Sequence, residues 1–272
     1  MGRTLIEARD AFAEHNPEQR LEINGRDWGV TDLGAGPVLV LLPGTLGRGD
    51  IFWQQIEALA DRARLVALSY PASGGITDWA GDILALMDRQ EIGAATVLGT
   101  SLGGYLAQYL AAHHPDRFSR LIAANTLCDT ALVGQSPLYA QDLDAAPAEA
   151  LRAGFRTSLA AWAKAHPEQR DLIELLLDEV AGRIPEAELR QRLIALKTAP
   201  PLPSPALPPA RICTVESDDD PLIPPPLRDH LRAALNPGCI FRFPDGGHFP
   251  YLAHPATYTR HLRACMKLED RP

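Results

Sequence analysis

Gly99-Thr100-Ser101-Leu102-Gly103, followed by Gly104, stands between an apolar run and a helical pattern. A serine hydroxyl in water is a weak nucleophile, and it attacks an acyl carbon only when a neighbouring base takes its proton. The G-x-S-x-G spacing between a strand and a helix suits a turn so sharp that the hydroxyl projects clear of the sheet. Side chains at positions 99 and 103 would collide with that turned backbone, so glycine is needed at both. The turn also makes Leu102 the first residue of a helix, where free amides favour developing negative charge, and Leu102 N–H becomes one candidate oxyanion donor. Pro43-Gly44-Thr45-Leu46-Gly47 follows an earlier apolar run and offers Thr45 N–H as the second. The plainer reading is that the glycines only permit close helix–strand packing and that residues 43–47 are a flexible turn. The strand, turn and helix in the demanded order favour the chemical reading.

Such a serine needs a base, and eight histidines compete for that role. His248 stands out because Asp245-Gly246-Gly247-His248-Phe249-Pro250 directly follows a strand-like run, where a flexible turn can deliver an imidazole. His113 and His114 close a helix, where contact with the helix dipole explains them. His15, His166, His230, His254 and His261 lie in helical or peripheral contexts and read as surface residues. A carboxylate must hold the second imidazole nitrogen. Asp220, in Asp218-Asp219-Asp220-Pro221-Leu222-Ile223-Pro224, is the favoured orienter, with Asp218 and Asp219 read as solvated loop residues. Asp129, just past an earlier strand, is the rival; the chain order Ser, Asp, His favours Asp220. An acidic triplet without histidines or spaced carboxylates is a poor metal site, so no metal is expected.

The elements that must position these groups alternate. Two short strands over residues 21–24 and 28–32, separated by 25–27, suggest a hairpin. Residues 37–42 (PVLVLL) are continuously apolar, as in a parallel strand buried on both faces. A helix follows with Asp50 as its cap, then a strand over 64–70, a Thr77-capped helix over 79–89, a strand over 95–99, a helix over 102–114 and a strand over 120–124. That alternation predicts an α/β fold with helices on both faces of a parallel sheet. From 130 to 198 only helical patterns occur, at 147–165, 168–182 and 185–197, and an insertion of this length between strands reads as a cap over a site. Residues 200–209, rich in proline, make a stiff return. Strands over 211–216 and 239–243, with helices over 226–235 and 256–267, complete the core. The expected domains are therefore a core of 1–129 and 199–272 and a cap of 130–198. Tyr70, Phe155, Trp162 and Leu222 are candidate apolar walls of a pocket.

Composition sets the outer bounds. With 46% hydrophobic and 22% charged residues in 272, the chain reads as an ordinary soluble globular protein. A formal charge of -8 leaves no general basic surface for phosphate backbones, so nucleic acid is not an expected partner and a small acyl substrate is. The charged first twenty residues lack a secretory pattern and no run is long enough to span a bilayer, which makes the cytoplasm the expected location. Cys128, Cys213, Cys239 and Cys265 have no metal-ligand spacing and read as reduced thiols.

Together, LLPGTLG, SYP, GTSLGGYLAQ, NTLCDT and GGHFPYL resemble the α/β-hydrolase superfamily, and within it the maspardin family. The resemblance covers most of the chain outside the expected cap, and GTSLGG and GGHFPYL are its specific elements. It implies an eight-strand, mostly parallel sheet, a helical cap, and neither metal nor organic cofactor. It also implies a second role, since the maspardin family carries asparagine where this chain has His248 and is regarded as one of binding proteins. A further departure is Ser217, where many relatives carry glycine three residues before the acid. The expectation is a serine hydrolase for an ester or related acyl bond, with Ser101, Asp220 and His248 as triad and Thr45 and Leu102 as oxyanion donors. Its alternatives are a non-catalytic protein-binding module, or a thioesterase or carbon–carbon bond hydrolase using the same groups.

Overall fold

The computed structural model describes residues 2–131 and 133–268. Among these, eight strands form one sheet: β1 (Gln19–Ile23), β2 (Arg26–Leu33), β3 (Val38–Leu42), β4 (Arg64–Ser69), β5 (Ala95–Thr100), β6 (Phe118–Ala124), β7 (Ile212–Ser217) and β8 (Cys239–Phe243). Their order across the sheet is β1-β2-β4-β3-β5-β6-β7-β8. The β1–β2 and β2–β4 pairs are antiparallel and the remaining pairs parallel.

Continuous apolar strands distribute their side chains alternately to the two faces, as a period of two requires. On β3, Val40 and Leu42 enter one core with Val66, Val97 and Leu121, while Leu39 and Leu41 enter the other with Leu65, Leu98 and Ile122. The first core is covered by α3 (Ile76–Arg89) and α4 (Leu102–His113). The second is covered by α1 (Leu5–His15), α2 (Trp53–Leu59) and α11 (Pro255–Met266). Between β6 and β7 lie α5 (Pro137–Ala140), α6 (Ala148–Ala165), α7 (Arg170–Asp178) and α8 (Glu186–Lys197). Helix α9 (Pro225–Leu235) joins β7 to β8, and α10 (Pro250–Ala253) precedes α11.

Three local expectations give way to better chemistry. The hairpin turns on Asn24-Gly25 rather than on 25–27, because both residues take positive φ (48° and 76°), the backbone of the tight two-residue turn that Asn-Gly favours. Asp50 caps no helix; its carboxylate pairs with Arg183 and the chain winds through a 3-10 turn at Gly49–Phe52 into α2. Helix α3 is capped not by Thr77 but by the Asp78 carboxylate, which accepts the Gly75 N–H at 3.0 Å. All four cysteines are free, and Cys213 and Cys239 are Cα partners on adjacent strands.

The strand order reverses at β3, which lies between β4 and β5, so α2 after β3 and α4 after β5 pack on opposite faces of the sheet, and their connecting loops meet at its carboxyl edge. Residues 43–47 and Ser101 both sit there.

Candidate active site

Ser101 connects β5 to α4 with φ 52° and ψ -118°, a conformation strained for a residue with a side chain. Two close approaches enforce it. A Cβ on Gly99 would lie 1.9 Å from Gly103 O, and one on Gly103 would lie 2.2 Å from Leu42 O, so only glycine fits at either place. The turn is also tied to its neighbour: Ser101 N–H donates to Ala124 O at 3.1 Å and the Thr126 hydroxyl to Ser101 O at 2.6 Å.

The loops after the parallel strands converge by continuing the ladder one residue past each strand. Ser101 N–H bonds to β6, Asn125 N–H reaches Val215 O on β7 at 2.8 Å, and Asp218 N–H reaches Phe243 O on β8 at 2.9 Å. Asp220 then meets His248, whose Nδ1 lies 2.9 Å from Oδ2 and 3.1 Å from Oδ1. Both are buried, at 5% exposure. Burial on its own would raise the Asp220 carboxyl. The His248 imidazole, the Asn125 amide and the Leu222 N–H outweigh it and hold the group below the usual carboxylate range. Leu222 and Ile223 N–H both donate to Oδ1, at 2.8 and 3.1 Å.

Next to Ala124, whose carbonyl takes the Ser101 N–H, is Asn125, which sequence reasoning did not single out. Its Nδ2 donates to Asp220 Oδ2 at 2.9 Å, to Ser217 Oγ at 3.3 Å and to Gly247 O at 3.4 Å. All three partners accept, so the amide nitrogen must face them. Asn125 has φ 42°, a left-handed backbone that asparagine tolerates, and an asparagine directly after a strand was the available signal. Ser217 thus has a partner in the site. Tyr251, fully buried, faces the side chain of Thr100, the residue before Ser101.

The acidic triplet does three separate jobs, which corrects the reading of Asp218 and Asp219 as merely solvated. Asp218 pairs with Arg242 and lies 3.7 Å from Arg228. Asp219 accepts the N–H groups of Gly246 (3.2 Å) and Gly247 (2.9 Å), pinning the turn that carries His248. Those glycines have φ 110° and 56°, and Trp162 of α6 lies so close that a Cβ on Gly247 would be 2.4 Å from its ring. The rival acid, Asp129, accepts its own loop's Ala131 N–H at 2.8 Å and lines a cleft of about 390 Å³ that none of Ser101, Asp220 and His248 lines.

Thr45 and Leu102, the expected oxyanion donors, flank the serine turn. A Cβ on Gly44 would sit 3.1 Å from Ser101 Cβ, so residues 43–47 pass directly against it. Neither Thr45 N–H nor Leu102 N–H has an acceptor among the described residues. Tyr139 of α5 faces the Thr45 side chain. Of the candidate pocket walls, Tyr70 is fully buried and donates to Pro43 O at 2.8 Å, Trp162 stacks on Phe249, Phe155 is partly buried and Leu222 is 56% exposed. Among the described residues no group of three or more His, Cys, Asp or Glu side chains could hold a metal ion, and no helix is long and apolar enough to cross a membrane.

Comparisons with known proteins follow the same lines. Maspardin of Rattus norvegicus is 33% identical over 115 residues, 40% of this chain and 44% of that protein, so the chain spans less than half the length of that relative. The pimeloyl-[acyl-carrier protein] methyl ester esterase of Chromobacterium violaceum is 28% identical over 260 residues, 86% of this chain and 95% of that protein. Among solved structures, the enol-lactonase from Burkholderia xenovorans LB400 superposes with a TM-score of 0.75 at 20% identity, covering 92% of this chain and 100% of that one. At such identity the superposition speaks for the fold alone. The family whose sequence model matches residues 39–260, from β3 into α11, supplies the conclusion these strands and loops have been approaching: this chain belongs to the alpha/beta hydrolase family.

Proposed function

We propose that this hydrolase cleaves an ester or related acyl bond of a small, apolar substrate through a serine nucleophile and an acyl-enzyme. Ser101 Oγ attacks the acyl carbon while His248 Nε2 takes its proton; the tetrahedral intermediate collapses as the imidazolium returns that proton to the leaving oxygen. Water, deprotonated by the same imidazole, then releases the acid and frees Ser101. Asp220 keeps the Nδ1 proton in place and stabilises the imidazolium. Thr45 and Leu102 amides receive the oxyanion, each such donor contributing about 3 to 4 kcal/mol to the transition state.

The observation that carries the reading is the buried His248–Asp220 pair, 2.9 Å apart, held by Asn125 beside a strained serine turn. Structural ion pairs rarely need a serine in that conformation. The relative that matches over 86% of the chain is named as a methyl ester esterase, which supports ester-type bonds. Helices α5 to α8 supply Tyr139 and Trp162 to the site's loops, and we assign residues 130–198 the role of a cap.

The test is covalent labelling. A fluorophosphonate probe should modify the wild-type protein at Ser101, and Ser101→Ala should lose both labelling and hydrolysis of p-nitrophenyl esters. Labelling that persists on Ser101→Ala would remove Ser101 from the role. A folded wild-type protein inert to the probe and to a graded ester series would shift the reading to a binding module.

A further inference from the structure

Arg192, on α8, is a fully buried arginine far from any solvent-facing function. Its Nη1 donates to Gly47 O at 2.8 Å and to Thr45 O at 3.1 Å, and its Nη2 lies 3.3 Å from Glu188 Oε2. The guanidinium stands over the Tyr70 ring, 5.3 Å from its centroid, and the Tyr70 hydroxyl in turn holds Pro43 O. Burying a guanidinium is costly, and a space that merely needed filling could take methionine or leucine. Burial pulls this group down to about 10, which leaves it charged at neutral pH.

Residues 43–47 contain two glycines in five positions, so the loop has little stiffness of its own. Three of its carbonyls are nonetheless taken by side chains, two of them by Arg192. The Gly44–Thr45 peptide, which carries the Thr45 N–H, runs between two clamps. On one side Gly44 passes so close to Ser101 that a Cβ on it would lie 3.1 Å from Ser101 Cβ; on the other the Thr45 carbonyl is held by Arg192, while Tyr139 faces the Thr45 side chain. Both of the latter residues come from the segment between β6 and β7.

We propose that Arg192 is a positioning residue for the reaction: it reaches from α8 to the carbonyls of Thr45 and Gly47, holds the Thr45 amide where the oxyanion forms, and so makes the helical insertion a structural part of the oxyanion site. The proposal rests on the serine-hydrolase reading above. Its signature is catalytic rather than affinity-based, because a mis-set amide weakens the transition state while the ground-state ester still binds.

The experiment compares wild type, Arg192→Met and Arg192→Lys for kcat and KM on a p-nitrophenyl ester, for inhibition by an alkyl boronic acid that adds to the serine as a tetrahedral adduct, and for thermal midpoint. Glu188 keeps Arg20 (3.7 Å) and Arg48 (3.9 Å) as counter-charges when Arg192 is removed. Arg192→Met should lower kcat about 100-fold, the loss typical of one oxyanion donor, with KM within about threefold and boronate affinity falling in step with kcat. Arg192→Lys, whose single ammonium can hold one carbonyl but not reproduce the fork, should lose about tenfold. A folded Arg192→Met with kcat within about threefold of wild type overturns the proposal, as does a loss confined to KM with boronate affinity unchanged. If Arg192→Met does not fold, Arg192→Lys decides by the same two readouts. A wild-type protein inert to the fluorophosphonate probe fails the parent reading instead, and does so before either variant is made.

Discussion

Asn125 shows how a single side chain sets the electrostatics of the site. It gives Asp220 a neutral N–H donor, and with the His248 imidazole and the Leu222 amide it keeps the carboxyl ionised although burial opposes ionisation. Because the native Asp220 titrates below its unfolded value, its contribution to stability is fully present above about pH 4 and is lost as the pH falls through the depressed native value. Asn125→Asp keeps the left-handed backbone that aspartate also tolerates, yet it places a second carboxylate about where Nδ2 now meets Oδ2. Two carboxyls in contact cannot both ionise readily, and the pair should take up a proton at higher pH. The acid limb of kcat/KM is expected to move up by about one pH unit or more. A pH–rate profile from 4 to 9 reads this directly, and an unmoved acid limb would detach Asn125 from the titration of Asp220.

Elements place what residues cannot place alone. Strand β5 and helix α4 approach so closely at the turn that their glycines are sterically required, whereas other glycines are incidental. Gly99→Ala should cost at least about 3 kcal/mol in urea unfolding, since its Cβ would meet backbone, which cannot swing aside as a side chain can. Gly81 is the contrasting case: exposed within α3, with nothing within 4 Å of a Cβ, it should gain about 0.5 to 1 kcal/mol on conversion to alanine. The two variants run side by side separate steric need from mere composition. Equal effects on stability would mean that the turn relaxes more easily than its contacts imply.

At the scale of the molecule, a buried ionic network fastens the insertion to the core. Arg9 of α1 bonds Glu179 at 2.7 Å and Asp178 at 2.7 Å, and Arg183 joins Glu179 at 2.9 Å to Asp50 beside α2. Arg9 and the Glu179 carboxylate are almost wholly buried, so the pair is poorly screened by solvent. Arg9→Met should destabilise by about 3 kcal/mol, at the low end for a broken buried pair because Arg183 still serves Glu179. The lowered urea midpoint should be accompanied by faster proteolysis within residues 148–197. A midpoint unchanged to within about 0.5 kcal/mol would assign the fastening to apolar packing alone.

Much of the architecture was legible because apolar periodicity is a local property: the continuous runs at 37–42, 64–70 and 95–99 can only be strands with both faces covered, and G-x-S-x-G announces its own turn. The two histidine and aspartate loops were legible through chain order and glycine spacing. What the sequence left open was which neighbours those loops would find. Asn125, Asp219 and Arg192 each act on a partner 28 to 147 residues away, and no local pattern records a contact of that range. Only the parallel sheet, by bringing the ends of β5, β6, β7 and β8 to one edge and laying α8 over the loop after β3, determines which carboxylate meets the imidazole, which amide supports it, and which buried charge holds the backbone beside Ser101.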